Sequence, residues 1–172
     1  TWNRRDDVLN AVESACNQTH KNIEIVIVDN ASTDGTYESL RQNYPQVKVI
    51  KTHRNLGICP SRNIAMANCT GEIIFCLDDD VLMDDQCLER IVMGLQGNEE
   101  VAIVACNILD PSEIERTSIS KSGETGNSYV PIFISAGAFG IKRELMVGAG
   151  YFPDYFRQGE ENYLSLRIAD AG

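Results

Sequence analysis

The sequence predicts an α/β fold: a single domain with a mostly parallel central sheet flanked by helices. Three observations carry that reading. Short apolar or β-branched runs recur at 23–28, 47–50, 72–77 and 101–106, and each reads as a buried strand. Segments with helical spacing lie between them, so strand and helix alternate along the chain. No repeat or second domain interrupts the pattern, and 172 residues suffice for one domain with a real core.

The elements follow in order. Asp6 or Asp7 is placed to cap a first helix carrying Leu9, Val12 and Cys16 on one face. The first strand, 23–28, ends in Asp29. Thr33 or Asp34 is placed to cap a helix bearing Tyr37 and Leu40, and 47–50 is the second strand. Pro60 suits the first turn of a helix that ends near Gly71. The third strand, 72–77, runs into Asp78-Asp79-Asp80. Leu88, Ile91, Val92 and Leu95 then form an i, i+3, i+4, i+7 stripe after the acidic start Asp84-Asp85, and 101–106 is the fourth strand. Residues 110–129, rich in Ser, Thr, Glu and Gly, lack periodicity and read as a long loop or flap. Residues 159–171 read as a helix, with Leu164, Leu166, Ile168 and Ala169 as its apolar positions. Thr1-Trp2-Asn3 reads as a strand end and Gly172 as a helix stop, so the expected domain, 1–172, is cut at both ends.

Composition narrows the function. Hydrophobic residues are 43% and charged residues 23%, ordinary for a globular protein. A net charge of −10 argues against a nucleic-acid partner gripped through its phosphates, which needs a basic face. It leaves room for a nucleotide whose charge a metal offsets. No apolar run approaches the ~20 residues that span a bilayer, and the polar opening Thr1-Trp2-Asn3-Arg4-Arg5-Asp6-Asp7 is not a signal peptide. The six cysteines contain no C-x-x-C pair and read as unbridged, mostly buried thiols in a reducing compartment. A cytoplasmic location is expected, with peripheral association at the inner face of a membrane left open.

Open parallel sheets bind ligands at the carboxyl ends of their strands. Three polar groups fall at such ends: Trp2-Asn3, Asp29-Asn30 and Asp78-Asp79-Asp80. For Asp29 the bland alternative is a turn with helix caps. The three consecutive carboxylates repel one another in a poorly solvated place, which a cation or polar ligand would offset. Strand alternation would put Asp78 and Asp80 on one side and Asp79 on the other, so that one side offers hard oxygens to Mg²⁺ or Mn²⁺. The competing reading is a solvated acidic turn, which suits Asp84 and Asp85 better. In Asn55-Leu56-Gly57 the glycine permits close backbone approach, and Arg62 offers a cation to a phosphate or an aspartate. Glu160-Glu161 alone would be dipole partners at a helix start. His20 and His53 read as loop residues.

Taken in order, Thr1-Trp2-Asn3-Arg4, the segment EIVIVDNASTDGT at 24–36, Asn55-Leu56-Gly57 with Ser61-Arg62-Asn63, Gly71-Glu72 leading to Asp78-Asp79-Asp80, Gly150-Tyr151-Phe152 and Glu160-Glu161 through Arg167 form a pattern. It resembles family 2 glycosyltransferases of the GT-A, Rossmann-like fold over nearly the whole chain. The resemblance implies an inverting transferase that moves a sugar from a nucleotide-diphosphate donor to a carbohydrate or lipid-linked acceptor, in cell-surface polysaccharide or glycoconjugate synthesis. It implies nucleotide-sugar contacts by Trp2, Asn3, Asp29, Asn55, Gly57, Arg62, Asp78 and Asp79. It further implies metal binding by Asp80 with Mg²⁺ or Mn²⁺, and a catalytic base at Glu161 beside Glu160. Trp2 stands where Tyr or Phe is usual, and Tyr163 where an acid is frequent. Acceptor recognition is expected around 135–143.

Two other classes compete. A haloacid-dehalogenase-type phosphatase also places D-x-D after an apolar strand, but normally on the first strand. A non-catalytic sugar-nucleotide-binding module would keep the pocket without turnover. A dinucleotide oxidoreductase is disfavoured, because Gly137-Ala138-Phe139-Gly140 lacks the G-x-G-x-x-G spacing.

Overall fold

β-Branched runs make the strands and amphipathic segments the helices, in nearly the anticipated order. The structure, a computed structural model, describes residues 1–109, 137–153, 164, 167 and 168. Helix α1 (Arg5–Cys16) leads to β1 (Val26–Asp29), α2 (Thr36–Asn43), β2 (Lys48–Lys51), α3 (Ile58–Ala67) and β3 (Ile73–Leu77). Then come α4 (Cys87–Gln96), β4 (Ile103–Ala105), β5 (Ala138–Lys142) and α5 (Arg143–Ala149).

The β1–α2–β2 unit pairs its strands in parallel, Val26 opposite Lys48 and Asp29 opposite Lys51, as a strand–helix–strand crossover requires. The second sheet has the order β3-β5-β4, and β5 runs antiparallel to both neighbours. The expectation of strands at 72–77 and 101–106 is met, but their common partner β5 was not anticipated as a strand. Its residues Ala138, Phe139, Gly140 and Ile141 are all buried. They are therefore sheet core, whereas Lys142 is half-buried and Arg143 exposed. Gly140 is required there, because a Cβ would run into Ile91 of α4.

Two apolar clusters follow the two sheets. Val8 and Val12 of α1, Leu40 of α2 and Val47 pack together beside β1 and β2. The larger cluster joins Cys59 and Met66 of α3, Ile74, Phe139, Ile141, Met146 and Phe152 to Leu164 and Ile168. Truncating a fully buried aromatic such as Phe139 to Ala would cost about 3–5 kcal/mol.

Helix caps differ from expectation. Asp6 and Asp7 lie inside the first turn of α1, and the helix is capped from a distant loop by Asp34 Oδ2, which accepts from the Arg5 N–H at 3.1 Å. Asp34 Oδ1 also accepts from the Thr36 N–H at 3.1 Å, so one carboxylate serves two helix starts. In α4 the stripe holds, with Ile91 and Leu95 buried and Leu88 and Val92 half-buried. The six cysteines form no disulfide. Only Cys59 is fully buried and the other five are half-buried, so the thiols are less buried than expected. Among the described residues no helix is long and apolar enough to cross a membrane.

Candidate functional site

The carboxyl ends of β1 and β3 meet beside the first residues of the chain. Thr1 lies along β1: its nitrogen donates to the Val28 carbonyl at 2.9 Å, and its carbonyl accepts from the Asn30 N–H at 2.9 Å. Both hydrogen bonds fix the first residue alongside the end of β1. The same nitrogen lies 4.0 Å from Asp79, which brings the Asp29 and Asp78–Asp80 ends to one place.

Asp29 is fully buried. One oxygen accepts from the Ser32 N–H at 3.2 Å, while the other, also buried, has no hydrogen-bond partner among the described residues. A buried carboxylate oxygen without a donor is costly, and a donor brought by a ligand would relieve it. The turn-and-cap alternative for Asp29 explains only the Ser32 contact.

Around it the predicted residues divide into two kinds. Asn3 and Asn30 are structural hubs. Asn3, at φ 52°, donates its N–H to Ser32 Oγ and accepts from the Thr33 N–H at 2.8 Å, which fastens the loop after β1. The Asn30 amide donates to Asn55 Oδ1 at 2.8 Å, and its oxygen accepts from the Leu56 N–H at 2.8 Å. Asn55 in turn accepts from the Gly57 N–H at 2.9 Å. Gly57 sits at φ 88° with open space where a Cβ would stand, so it is required by its backbone conformation and not by a close approach. Trp2, by contrast, is 52% exposed and presents its ring to solvent.

The acidic end is arranged differently from the strand-alternation expectation. β3 ends at Leu77, and Asp79 and Asp80 are already in a turn. Asp78 therefore faces Arg62 of α3, with Oδ1 2.6 Å from the guanidinium. Asp79 and Asp80 both face Arg4, which is 3.4 Å from Asp79 and in hydrogen-bond contact with Asp80. Burial pushes the Asp78 carboxyl above its ordinary range, and the Arg62 charge acts in the opposite direction. The Asp78 N–H donates to the Gly137 carbonyl at 2.7 Å, and its side chain fills the space a Cβ on Gly137 would need. Arg62 also lies over the Phe152 ring, 5.6 Å from its centre. Asn63, the next residue, exchanges two hydrogen bonds with the Phe152 backbone. Ser61-Arg62-Asn63 and Gly150-Tyr151-Phe152 are thereby one assembly.

Asp84 and Asp85 belong to the loop before α4, as expected of residues at a helix start. The Asp84 side chain accepts from the Gln86 N–H. Gln18, a buried residue that the sequence reading did not single out, donates to the Asp84 carbonyl at 2.8 Å and accepts from the Leu88 N–H at 2.9 Å. It ties the end of α1 to the end of the acidic loop. His20 and His53 lie in loops. Glu160, Glu161 and Tyr163, and the 110–129 flap, lie outside the described residues. Leu164, three positions after Glu161, is fully buried in the larger core.

Asp80 is a half-exposed hard-oxygen ligand with Asp79 next to it. Among the described residues, no group of three His, Cys, Asp or Glu forms a cage. One or two carboxylates with the rest of the shell from phosphates and water is how Mg²⁺ or Mn²⁺ binds beside a substrate. The residues fit that arrangement and not an all-protein site.

Comparison with known proteins agrees with the geometry. The glycosyl transferase family 2 model matches residues 1–157. A Haemophilus influenzae protein described as an uncharacterized glycosyltransferase is 30% identical over 184 residues, covering 98% of this chain and 59% of the relative. The Escherichia coli UDP-Glc:alpha-D-GlcNAc-diphosphoundecaprenol beta-1,3-glucosyltransferase WfaP is 38% identical over 80 residues, 46% of this chain and 32% of that protein. Among solved structures, the Pyrobaculum calidifontis mannosyltransferase PcManGT in complex with GDP-Man and Mn²⁺ superposes with a TM-score of 0.80 at 25% identity, over 100% of this chain and 50% of that one. S. aureus TarS 1–349 in complex with UDP superposes at 0.78 and 18% identity, over 98% of this chain and 52% of that one, a likeness of fold alone. The chain spans from about a third to about three fifths of the length of these proteins. Its fold is GT-A, and membership decides against the phosphatase alternative: the chain belongs to glycosyl transferase family 2.

Proposed function

We propose that the protein is an inverting, metal-dependent glycosyltransferase that takes its sugar from a nucleotide-diphosphate donor, in polysaccharide or glycoconjugate synthesis at the cytoplasmic side of a membrane. The observation that carries the reading is the buried, unpartnered Asp29 oxygen at a strand end that adjoins Asp79 through Thr1. In this reading Asp29 takes a donor N–H of the base, and Trp2 covers the nucleotide with its exposed ring. Asp78 and Asp79 face the ribose, and Arg62 holds Asp78 in place. Asn3, Asn55 and Gly57 shape the loops around the nucleotide through the hydrogen bonds they already make.

Asp80 would hold Mg²⁺ or Mn²⁺, and a cation there would neutralise charge on the diphosphate leaving group. Glu161, with Glu160 beside it, takes the proton from the acceptor hydroxyl. A single base suffices for direct displacement with inversion, whereas hydrolysis by paired carboxylates needs an acid as well. The carbohydrate or lipid-linked acceptor binds beside Glu161. Support for the donor class and the metal comes from the GDP-Man and Mn²⁺ of PcManGT.

The test begins with a thermal-shift screen of nucleotide sugars with and without Mn²⁺, because a ligand that binds the folded state raises its stability. With the donor known, Glu161→Gln is expected to lower transfer by roughly 10²–10⁴-fold while donor binding persists. Undiminished transfer would remove Glu161 as the base.

A further inference from the structure

The acidic loop is held to the start of β5 at its near end, and at its far end it lies against the residue that follows β4. At its near end Asp78 donates to the Gly137 carbonyl, and at its far end stands Cys87, the first residue of α4. The Cys87 sulfur is 3.6 Å from the sulfur of Cys106, whose N–H donates to the Ala138 carbonyl, one residue on from Gly137. Both thiols are half-buried, so neither is sealed from solvent. We propose that Cys87 and Cys106 are a redox modification site, at which a reversible disulfide staples the far end of the acidic loop to the sheet.

The chemistry of the pair is asymmetric. The hydrogen bond from Cys106 draws the Cys87 thiol down to about 7, against the effect of burial. The same bond pushes the Cys106 thiol up, and burial adds to the rise. The α4 N-terminus favours a thiolate at Cys87 as well. Cys87 is therefore the attacking sulfur and Cys106 the resolving one. With a low-molecular-weight disulfide such as glutathione disulfide as oxidant, the Cys87 thiolate attacks one sulfur. The oxidant's S–S bond breaks, and a glutathione thiolate leaves and takes a proton. With Cys87 capped, the negative charge that held the Cys106 proton is gone. Cys106 releases its proton to water and attacks the Cys87 sulfur, expelling the second glutathione. Two protein thiols become one disulfide while one glutathione disulfide becomes two thiols. The ring so closed, residues 87–106, contains α4 and β4, and closing it removes freedom chiefly from the unfolded chain.

The test uses the purified protein, reduced or incubated with glutathione disulfide, with non-reducing peptide mass mapping and thermal melting. A linked Cys87–Cys106 peptide that dithiothreitol dissolves is expected, with the melting temperature raised by about 5 °C or more. Cys87→Ser and Cys106→Ser each should lose the linked peptide and the rise. Recovery of the two residues as thiols or separate glutathione adducts would overturn the site. A linked pair that leaves the melting temperature unchanged would overturn the staple. Neither outcome depends on whether the protein transfers sugar.

Discussion

The two acidic strand ends that frame the site are held in opposite ways. Asp29 is fully buried, with one oxygen on the Ser32 N–H and one left over. Asp78, Asp79 and Asp80 are partly exposed and matched to guanidinium groups, Arg62 on one side and Arg4 on the other. The first end is a fixed socket whose unmet demand is for a hydrogen-bond donor. The second is a set of charges whose counter-ions can be exchanged. A nucleotide base would suit the first, and a divalent cation would suit the second. In the proposed reading, this difference in physical character, more than the number of acids, separates the roles of the two ends.

Substitutions should separate the two ends, and the largest effect belongs to the socket. Asp29→Ala strips a buried N–H of its acceptor, so unfolding free energy should drop by about 1–3 kcal/mol in denaturant titrations. Nucleotide affinity should fall by about tenfold or more, since a buried hydrogen bond to a charged group is lost as well. Full stability together with full affinity would show that the socket is only a turn. Arg4→Ala acts at the exchangeable end. The guanidinium is about half exposed and meets Asp79 and Asp80 in solvent, so its removal should tighten Mn²⁺ binding only about two- to fivefold and leave stability nearly unchanged. Weaker Mn²⁺ binding would mean that Arg4 orders the carboxylates for the metal instead of competing with it.

The smallest effect lies outside the site, at the turn that leads into β3. The Glu24 carboxylate accepts from the Thr70 N–H, the Thr70 hydroxyl and the Gly71 N–H, and these hold it below the ordinary carboxylate range. A depressed acid stabilises the fold above its unfolded value and loses that contribution as pH falls through the folded one. Glu24→Gln should therefore flatten a shallow loss of melting temperature on the acid side and change little at neutral pH. An acid limb as steep as that of the parent would remove Glu24 from its causes.

Legibility in the sequence follows the range of the forces involved. Four strands announce themselves by local β-branched runs, and Asp29, Arg62 and Asp78 by their place at strand ends or on the facing helix. β5 was missed because AFGIK carries a central glycine that weakens any local strand signal, and its meaning lies in Ile91 packed above it. The α1 cap was assigned to Asp6 or Asp7 because they are adjacent, whereas the true acceptor, Asp34, is almost thirty residues away. Strand alternation failed for Asp78–Asp80 because the strand stops one residue earlier, and the turn places Asp79 and Asp80 on the same side. Gln18 carries no motif, and only the fold reveals that it spans α1 and the acidic loop.

The account turns on division of labour between the two ends, and calorimetric titration of UDP and GDP, with and without Mn²⁺, into the parent protein and Asp80→Asn addresses it most directly. The account predicts that the parent binds a nucleoside diphosphate more tightly with Mn²⁺. Asp80→Asn should keep the metal-free affinity and lose the gain from the metal, with stability within about 0.5 kcal/mol of the parent. An Asp80→Asn protein that retains the whole Mn²⁺ gain, or a parent that binds neither nucleotide under either condition, would contradict it.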